Sequence, residues 1–511
     1  MTTQKHGLDL RGTFNVRLTL TVMLIAFSQF NFGFEMSVFS GTQAMNYFEK
    51  QYGIWSPAAK KHVLDPQWLS LFNSLPYISF MIGLLVGNYV SNRWGRRMCV
   101  FTMSIWAIAA AAIVVTSKNR DHLLASRVFN YVYIGMELAV VPIYQSEIIP
   151  ARSRGFVVST YQTSVILGGL IVSIITRGTS DIQSNASWQI PYGLFFFVPT
   201  IVASAIWFVP ESPRRLAGKA RHEEGLAALR KLREGKMTED EIVSEYGLLE
   251  TASSRYQEKG TFKKLFWKAN IRQTFIVIGI NFFLQTTGYT FHLVYGSVYI
   301  KSLGTINPFK INLIKSFVAL VVAIATMWGC DIVGRRIRRL LMIGGSIQAV
   351  TLMAMGIIGT VVPASNAKSS AIVAMMIVFV VGWTCGWSPN SHILSAEIPK
   401  QRLRDMSYRA GLLTLRRYHG FVTAFTLPYL LFPPYANLQS KVGFIYGSFA
   451  VLAVLFTYSC IPELQGRTLE EIEQLFAMNI PIRQFKGTKT LSGNRISEDI
   501  EVDVKDDKSI A

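Results

Sequence analysis

Twelve apolar runs, each about as long as a bilayer core is thick, constrain this chain more than any other feature. A membrane helix needs about 20 predominantly apolar residues. Candidate runs start near positions 18, 68, 98, 122, 156, 190, 271, 310, 340, 370, 406 and 441. Lipid offers no hydrogen bonds to the backbone, so runs of this length predict helices. Composition points the same way. Half of the 511 residues are hydrophobic, 16% are charged, and mean hydropathy is +0.31. A soluble domain carries about 25% charged residues, and so large an apolar surplus cannot be hidden inside a water-facing globule. The expected fold class is therefore an all-α integral membrane protein, with twelve transmembrane helices in two pseudo-symmetric six-helix bundles.

The runs group six and six around a polar segment. This divides the chain into a cytoplasmic N-terminal tail over 1–17, a first bundle over 18–209 and a helical linker over 210–268. A second bundle over 269–461 and a partly disordered cytoplasmic tail over 462–511 follow. In the linker, Thr238-Glu239-Asp240-Glu241 has the form of a capping box ahead of a helix. Residues 1–17 are polar and basic without a cleavage-site pattern, so the first run is expected to stay in the membrane.

The net charge of +20 would suit nucleic acid, but the basic residues sit between apolar runs and in two polar segments. This distribution argues against a nucleic-acid partner and for a topological signal. Basic clusters occupy the even-numbered loops: Arg93, Arg96 and Arg97; Arg152 and Arg154; Arg335, Arg336, Arg338 and Arg339; Lys400, Arg402 and Arg404. The positive-inside rule assigns these loops, both termini and the linker to the cytoplasm. The one glycosylation sequon, Asn185-Ala186-Ser187, then falls on the outer side between helices 5 and 6. Cys99, Cys330, Cys385 and Cys460 lie in or beside apolar runs without metal-ligand spacing, and read as small buried hydrophobes. No metal or other cofactor is expected. A phosphate-binding Gly-Lys-Ser/Thr loop is lacking, which argues against ATP-driven transport, and no enzyme chemistry is indicated.

Three motifs recur in the same order in both halves. Gly95-Arg96-Arg97 follows helix 2 and Gly334-Arg335-Arg336 follows helix 8. Glu147 precedes Arg154 after helix 4 with the spacing by which Glu397 precedes Arg404 after helix 10. Pro210-Glu211 follows helix 6 and Pro462-Glu463 follows helix 12. Twin halves of this kind suit alternating access. The motifs bring carboxylates and guanidinium forks to the cytoplasmic helix ends, where bidentate pairing between the halves would latch the inner side. The alternative is that the basic residues serve topology alone, against which the matched acids Glu147, Glu211, Glu397 and Glu463 weigh.

Glu35 lies near the middle of helix 1. A charge there costs several kcal/mol, so it should face a partner or a watery cavity. Burial disfavours a charged carboxyl and a neighbouring cation favours it; that competition lets the group load and unload a proton. The bland reading is a structural ion pair. Glu137 in helix 4 and Arg416 and Arg417 in helix 11 are further intramembrane charges. The arginines could bind an acidic substrate, pair with Glu137, or snorkel to the cytoplasmic end, and the sequence leaves these readings open.

The stretches Asn92–Arg97, Pro142–Gly155, Pro210–Arg214, Asp331–Arg336, Ala396–Arg404 and Pro462–Glu471 together resemble the sugar porter family of the major facilitator superfamily. The likeness runs over roughly residues 20 to 480, and the Ala396-Glu397-Ile398-Pro399 form and Leu427-Pro428-Tyr429 are closest in style to fungal α-glucoside and other disaccharide:proton symporters. The resemblance implies that Arg127 of helix 4 is the partner of Glu35 in proton coupling. It implies a sugar site drawn from Gln162, Gln285, Thr290, Tyr295, Trp383 and His392. Amides suit sugar hydroxyls because each offers donors and acceptors together; any one of these residues could instead serve helix packing. Asn92 stands where the family usually has Asp, one helix 7 Gln has become Leu284, and Thr290 replaces an Asn.

The resulting expectation is a multi-pass plasma-membrane protein that moves a sugar, with a disaccharide as the class the resemblance favours, together with protons. Its partners would be the sugar, protons and the lipid bilayer; a monomer suffices and the oligomeric state is open. Two rivals are a sugar sensor that scarcely transports, suggested by the eroded helix 7 and helix 10 motifs, and a carrier of an organic anion such as a sugar acid, suggested by Arg416 and Arg417.

Overall fold

The computed structural model describes residues 14–488 apart from 58–59, 151–153, 256–261, 269, 305, 334–336, 401–402, 404–416, 465–468, 479 and 486–487. Of the expected site residues, Arg335, Arg336, Arg404 and Arg416 lie outside the described residues, and the side chains of Arg154 and Arg417 do too.

The helices follow the apolar runs. Helix 1 is Val16–Thr42, and helix 2 is Pro66–Arg93 with a break at Leu75. Helix 3 is Arg96–Val115, helix 4 Arg120–Ile148 and helix 5 Arg154–Thr179. Helix 6 covers Ala186–Phe208. Helix 7 starts at Ile271 and ends at Ser302, helix 8 is Pro308–Val333 and helix 9 Ile337–Val361. Helix 10 runs from Asn366 to Glu397, helix 11 is described over Arg417–Leu431, and helix 12 is Val442–Cys460. Among the described residues, nine helices are long and apolar enough to cross a membrane. Helices 5, 7 and 11 fill the other places in the twelve-helix plan. The outward faces of the helices across the bundle carry large apolar side chains such as Leu85, Phe197, Phe275, Phe317, Val350 and Leu455, which suits lipid as the solvent.

Helices 1 and 5 pack backbone to backbone. A Cβ on Gly33 would stand 1.8 Å from the Val165 carbonyl oxygen, and one on Gly168 would stand 2.0 Å from that of Phe30. Small residues at such a crossing let two membrane helices meet closely.

Helix 6 separates Asn185 from the linker, so the exposed Asn185 and the polar central segment lie at opposite ends of one membrane-crossing helix. The linker forms helices Pro213–Gly218, His222–Arg233 and Glu239–Arg255. The capping box closes as its sequence implies: Glu241 Oε2 accepts the Thr238 N–H at 2.8 Å and Thr238 Oγ1 accepts the Glu241 N–H at 3.4 Å.

Part of the tail is folded. The helix Leu469–Ala477 is followed by a short turn of helix, Ile482–Gln484, and the Phe485 ring is fully buried against Phe476. Arg272 at the start of helix 7 donates to the Ile480 carbonyl at 3.1 Å. An apolar anchor within a polar stretch is enough to fasten it, a signal that average polarity hides.

Candidate functional site

Glu35 and Arg127 meet inside the amino-terminal bundle. Arg127 Nη1 stands 3.6 Å from Glu35 Oε1, with the side chains 2% and 1% exposed. Arg127 does not depend on the acid alone. Its Nε donates to the Phe72 carbonyl and its Nη2 to the Tyr131 hydroxyl, at 3.4 and 3.3 Å. Its guanidinium lies 3.8 Å from the Phe39 ring centroid and 4.9 Å from that of Tyr131. Aromatic faces attract a desolvated cation, by about 2 kcal/mol in favourable cases, so the arginine stays held while its contact with Glu35 changes.

The remaining expected residues divide. Gln162 of helix 5 donates to Ser388 Oγ of helix 10 at 3.3 Å, joining the two halves near the midplane. Gln285 is buried in the last turn of the first segment of helix 7. Helix 7 then changes pitch, with a π-helical turn at Phe291–Tyr295, and helix 10 has a matching one at Trp383–Trp387. Such wide turns inside α-helices often mark functional sites. The two helices touch through stacked rings here: Tyr289 on Trp383 at 4.4 Å, and His292 on Phe379 at 3.7 Å. Thr290 Oγ1 lies 3.2 Å from Thr423 Oγ1 of helix 11. The Tyr295 hydroxyl donates to the Ala424 carbonyl at 2.6 Å, so its polar end is committed to helix 11. His392 lies on the last segment of helix 10, half-buried.

At the cytoplasmic ends, the Arg96 fork grips Glu147 through Nε–Oε2 and Nη2–Oε1 at 3.2 and 3.1 Å. Glu211 caps helix 3, its two oxygens accepting the backbone N–H of Arg96 at 2.9 Å and of Arg97 at 3.3 Å; a carboxylate suits a helix N-terminus. Gly95 has φ +118°, and a Cβ there would stand 2.2 Å from Glu211 Oε2, so the glycine makes room for the acid. Arg97 leaves the acids and lies over the Trp207 ring. Among the described residues these pairs tie helices 3, 4 and 6 of one half to each other, because helix 4 ends beside helix 3, within one arginine's length. The sequence also suggested pairs between the halves, for which Arg335, Arg336 and Arg404 lie outside the described residues. Asn92 bonds to Asn88 and stands outside this group. In the other half, Glu397 ends helix 10, and Glu463 borders a cavity of about 300 Å³ with Arg338, Arg339, Tyr458 and Arg483. That cavity is at the cytoplasmic end, remote from the midplane residues.

Glu137 is fully buried in helix 4, where Ser28 Oγ of helix 1 donates to its Oε2 at 2.7 Å. The suggested partners Arg416 and Arg417 are not available for comparison, since their side chains lie outside the described residues.

Sequence reasoning missed the outer closure. Lys301 Nζ at the end of helix 7 donates to Glu49 Oε2 at 2.7 Å, joining that helix to the short helix Asn46–Tyr52 of the other half. Ser40 donates to the Leu293 carbonyl at 2.6 Å, Gln43 bonds to the Val294 carbonyl, and Ser70 donates to the Phe425 carbonyl at 2.7 Å. Ser173 and Ser316 meet at 2.9 Å. These hydrogen bonds between the halves lie at the outer ends and the midplane. Lys315 was also missed: it is buried in helix 8 and donates to the His292 carbonyl at 2.8 Å. Its charge inside an apolar run was a readable signal; the partnership of Glu49 and Lys301 was not.

Comparison with known proteins agrees with this architecture. The chain is 26% identical over 473 residues to the high glucose sensor RGT2 of Saccharomyces cerevisiae, covering 90% of this chain but 61% of that longer protein. It is also 26% identical to the probable glucose transporter rco-3 of Neurospora crassa, covering 87% of this chain and 76% of that one. The inward-open structure of the xylose transporter XylE from E. coli superposes with a TM-score of 0.73 at 21% identity, over 90% of this chain and 99% of that one. The family model for sugar and other transporters matches residues 21–476. The chain shares the fold of XylE, a protein of the major facilitator superfamily, and by the family match this multi-pass membrane chain belongs to the family of sugar and other transporters, which is not a family of enzymes.

Proposed function

We propose that the chain carries a sugar inward across the plasma membrane by alternating access, with a proton as the coupled ion. The observation that carries the coupling is the Glu35–Arg127 pair, an acid and a base sealed from solvent inside the membrane. Glu35 binds the proton and Arg127 is its counter-ion. With Glu35 protonated the pair loses its attraction and helix 1 is released; with Glu35 charged the pair re-forms. The halves 18–209 and 269–461 rock about the midplane, where Gln162, Gln285, Thr290, Trp383 and His392 line the sugar path and Tyr295 contributes its ring. Arg96, Glu147 and Glu211 brace the inner ends of one half. The exposed Asn185 is the glycan acceptor on the outer face. XylE, similar in fold, is described as a proton:xylose symporter, which supports the reading. A disaccharide is the substrate class that the helix 11 motif favours.

The test is uptake of radiolabelled sugars in cells stripped of their own sugar carriers, with external alkalinisation recorded alongside. Glu35→Gln is expected to abolish accumulation against a gradient while exchange survives. Accumulation at the wild-type level in that variant would overturn the role of Glu35. One observation favours a second reading, a sensor: the likeness to RGT2, a named glucose sensor. Binding of sugar without any exchange in vesicles would decide for it.

A further inference from the structure

Helices 1 and 4 face each other through a polar stripe. On helix 1 it comprises Ser28, Asn31 and Glu35; on helix 4 it comprises Arg127, Asn130, Tyr133 and Glu137. Steps of three and four residues put each set on one helix face, and all seven side chains are buried. The stripe has three rungs. Arg127 meets Glu35 at 3.6 Å, Asn31 Nδ2 donates to the Tyr133 hydroxyl at 2.9 Å, and Ser28 Oγ donates to Glu137 Oε2 at 2.7 Å. Glu35 and Ser28 are separated by about 10 Å along the helix axis, at 1.5 Å per residue.

The lowest rung holds a carboxyl with little to support a charge. Ser28 from helix 1, Cys99 from helix 3 and Tyr133 on its own helix are the titratable or polar groups near it, and among the described residues no cation pairs with it. Its Oε1 lacks a hydrogen-bond partner. A buried carboxylate with one hydroxyl donor is far more costly than the neutral acid. The same shortage of donors recurs up the stripe, at Asn31 Oδ1 and Asn130 Oδ1. Buried acceptors are completed by O–H donors, either an acid's own hydrogen or internal water.

We propose that Glu137 is a second proton-binding site, on the cytoplasmic side of Glu35, and that the seam between helices 1 and 4 passes the proton from one carboxyl to the other. The proposal rests on the reading of Glu35 as the coupling group. In the transfer an O–H bond breaks at Glu35 and one forms at Glu137. Internal water spans the gaps on either side of the Tyr133 hydroxyl, and each of these groups accepts one hydrogen and gives up its own, ending as it began. Glu35 is left as a carboxylate beside Arg127, which favours its charge, and Glu137 then releases the proton toward the cytoplasm.

The test is infrared titration of carboxyl C=O bands, on the full chain in phosphatidylcholine vesicles, for wild type, E35Q, E137Q and S28A. Wild type is expected to show two titrating carboxyl bands at the high C=O frequency of buried carboxyl groups. E35Q should remove one and move the midpoint of the other by about one pH unit, a tenfold change in proton affinity. E137Q should remove the second. S28A, which deletes only a hydroxyl, should shift the frequency of the second band and leave the first in place, so the assignment survives if E137Q fails to fold. A wild-type spectrum from E137Q, or from S28A where E137Q does not fold, overturns the proposal. A wild-type spectrum from E35Q instead overturns the role of Glu35, so the two failures are told apart.

Discussion

Glu49 and Lys301, from opposite halves of the chain, share a 2.7 Å hydrogen-bonded ion pair at the outer face, with side chains only 9% and 17% exposed. Removing one partner of a poorly hydrated pair costs more than the pair is worth, because the other charge is left behind. Lys301→Ala is therefore expected to shift the protein toward outward-open forms, by about 1.5–3 kcal/mol, the usual value of a charge-assisted bond. Thiol labelling of Ser40→Cys, which lies under the closure, should speed up in that background. The double variant Glu49→Gln/Lys301→Gln should label more slowly than Lys301→Ala. Equal labelling in all three would show that the pair does not hold the closure.

The crossing of helices 1 and 5 predicts a glycine that tolerates no side chain. Gly33→Ala would drive a methyl into the Val165 carbonyl at 1.8 Å, so the helices must separate or the chain must misassemble. Overpacking of this kind costs about 1–3 kcal/mol, sometimes more. A lower melting temperature in detergent, with loss of membrane-inserted protein, is the expected result. Gly178→Ala, on helix 5 with open space around it, is the matched control and should leave the melting temperature unchanged.

Tyr295 and Gln162 should separate stability from recognition. The Tyr295 hydroxyl is spent on the Ala424 carbonyl, so Tyr295→Phe is expected to cost about 1 kcal/mol of stability and to change sugar affinity little. Gln162 is half-buried and bridges to Ser388 at 3.3 Å, a weak bond that a sugar hydroxyl could replace. Gln162→Ala should raise the KM for sugar about tenfold, the equivalent of one good hydrogen bond, with the melting temperature kept. The reverse pattern would exchange their roles.

The sequence revealed those parts of the fold that depend on one local run. Apolar length marked the starts of the helices to within a few residues, apart from helix 11, whose expected start near 406 lies outside the described residues, and Thr238 with Glu241 marked a helix start. Gly95 with Arg96 was readable as a motif, but its packing was not, because Glu211 arrives from a distant part of the chain to fill the space that a side chain would take. Glu35 stood out because one charge in an apolar run has few explanations, and the same logic applied to Lys315 would have found it. Ser28, Asn31 and Tyr133 were overlooked because a polar residue in a membrane helix is unremarkable singly; their meaning comes from sharing one face opposite another stripe. Glu49 and Lys301 left no trace, since nothing in either neighbourhood encodes which residue of the other half will lie against it. Helix 7 was read as continuous because its apolar content does not change where its pitch does.

The Glu35–Arg127 pair itself permits a test that separates stability from coupling. Arg127→Leu leaves Glu35 sealed in the membrane without its cation, and breaking a buried pair in this way costs about 3–5 kcal/mol. The variant should melt well below wild type. Adding Glu35→Gln removes the stranded charge, so the double variant Glu35→Gln/Arg127→Leu should recover most of the loss, although Phe39, Tyr131 and the Phe72 carbonyl lose the guanidinium they pack against. If the pair serves structure alone, recovery of stability brings recovery of proton-driven accumulation. If Glu35 is the group that carries the proton, the double variant is stable, exchanges sugar, and fails to accumulate it. Melting temperature, exchange and accumulation measured on the same vesicles therefore decide between the two roles, and a stable double variant that accumulates sugar as wild type does would leave the pair with a structural part only.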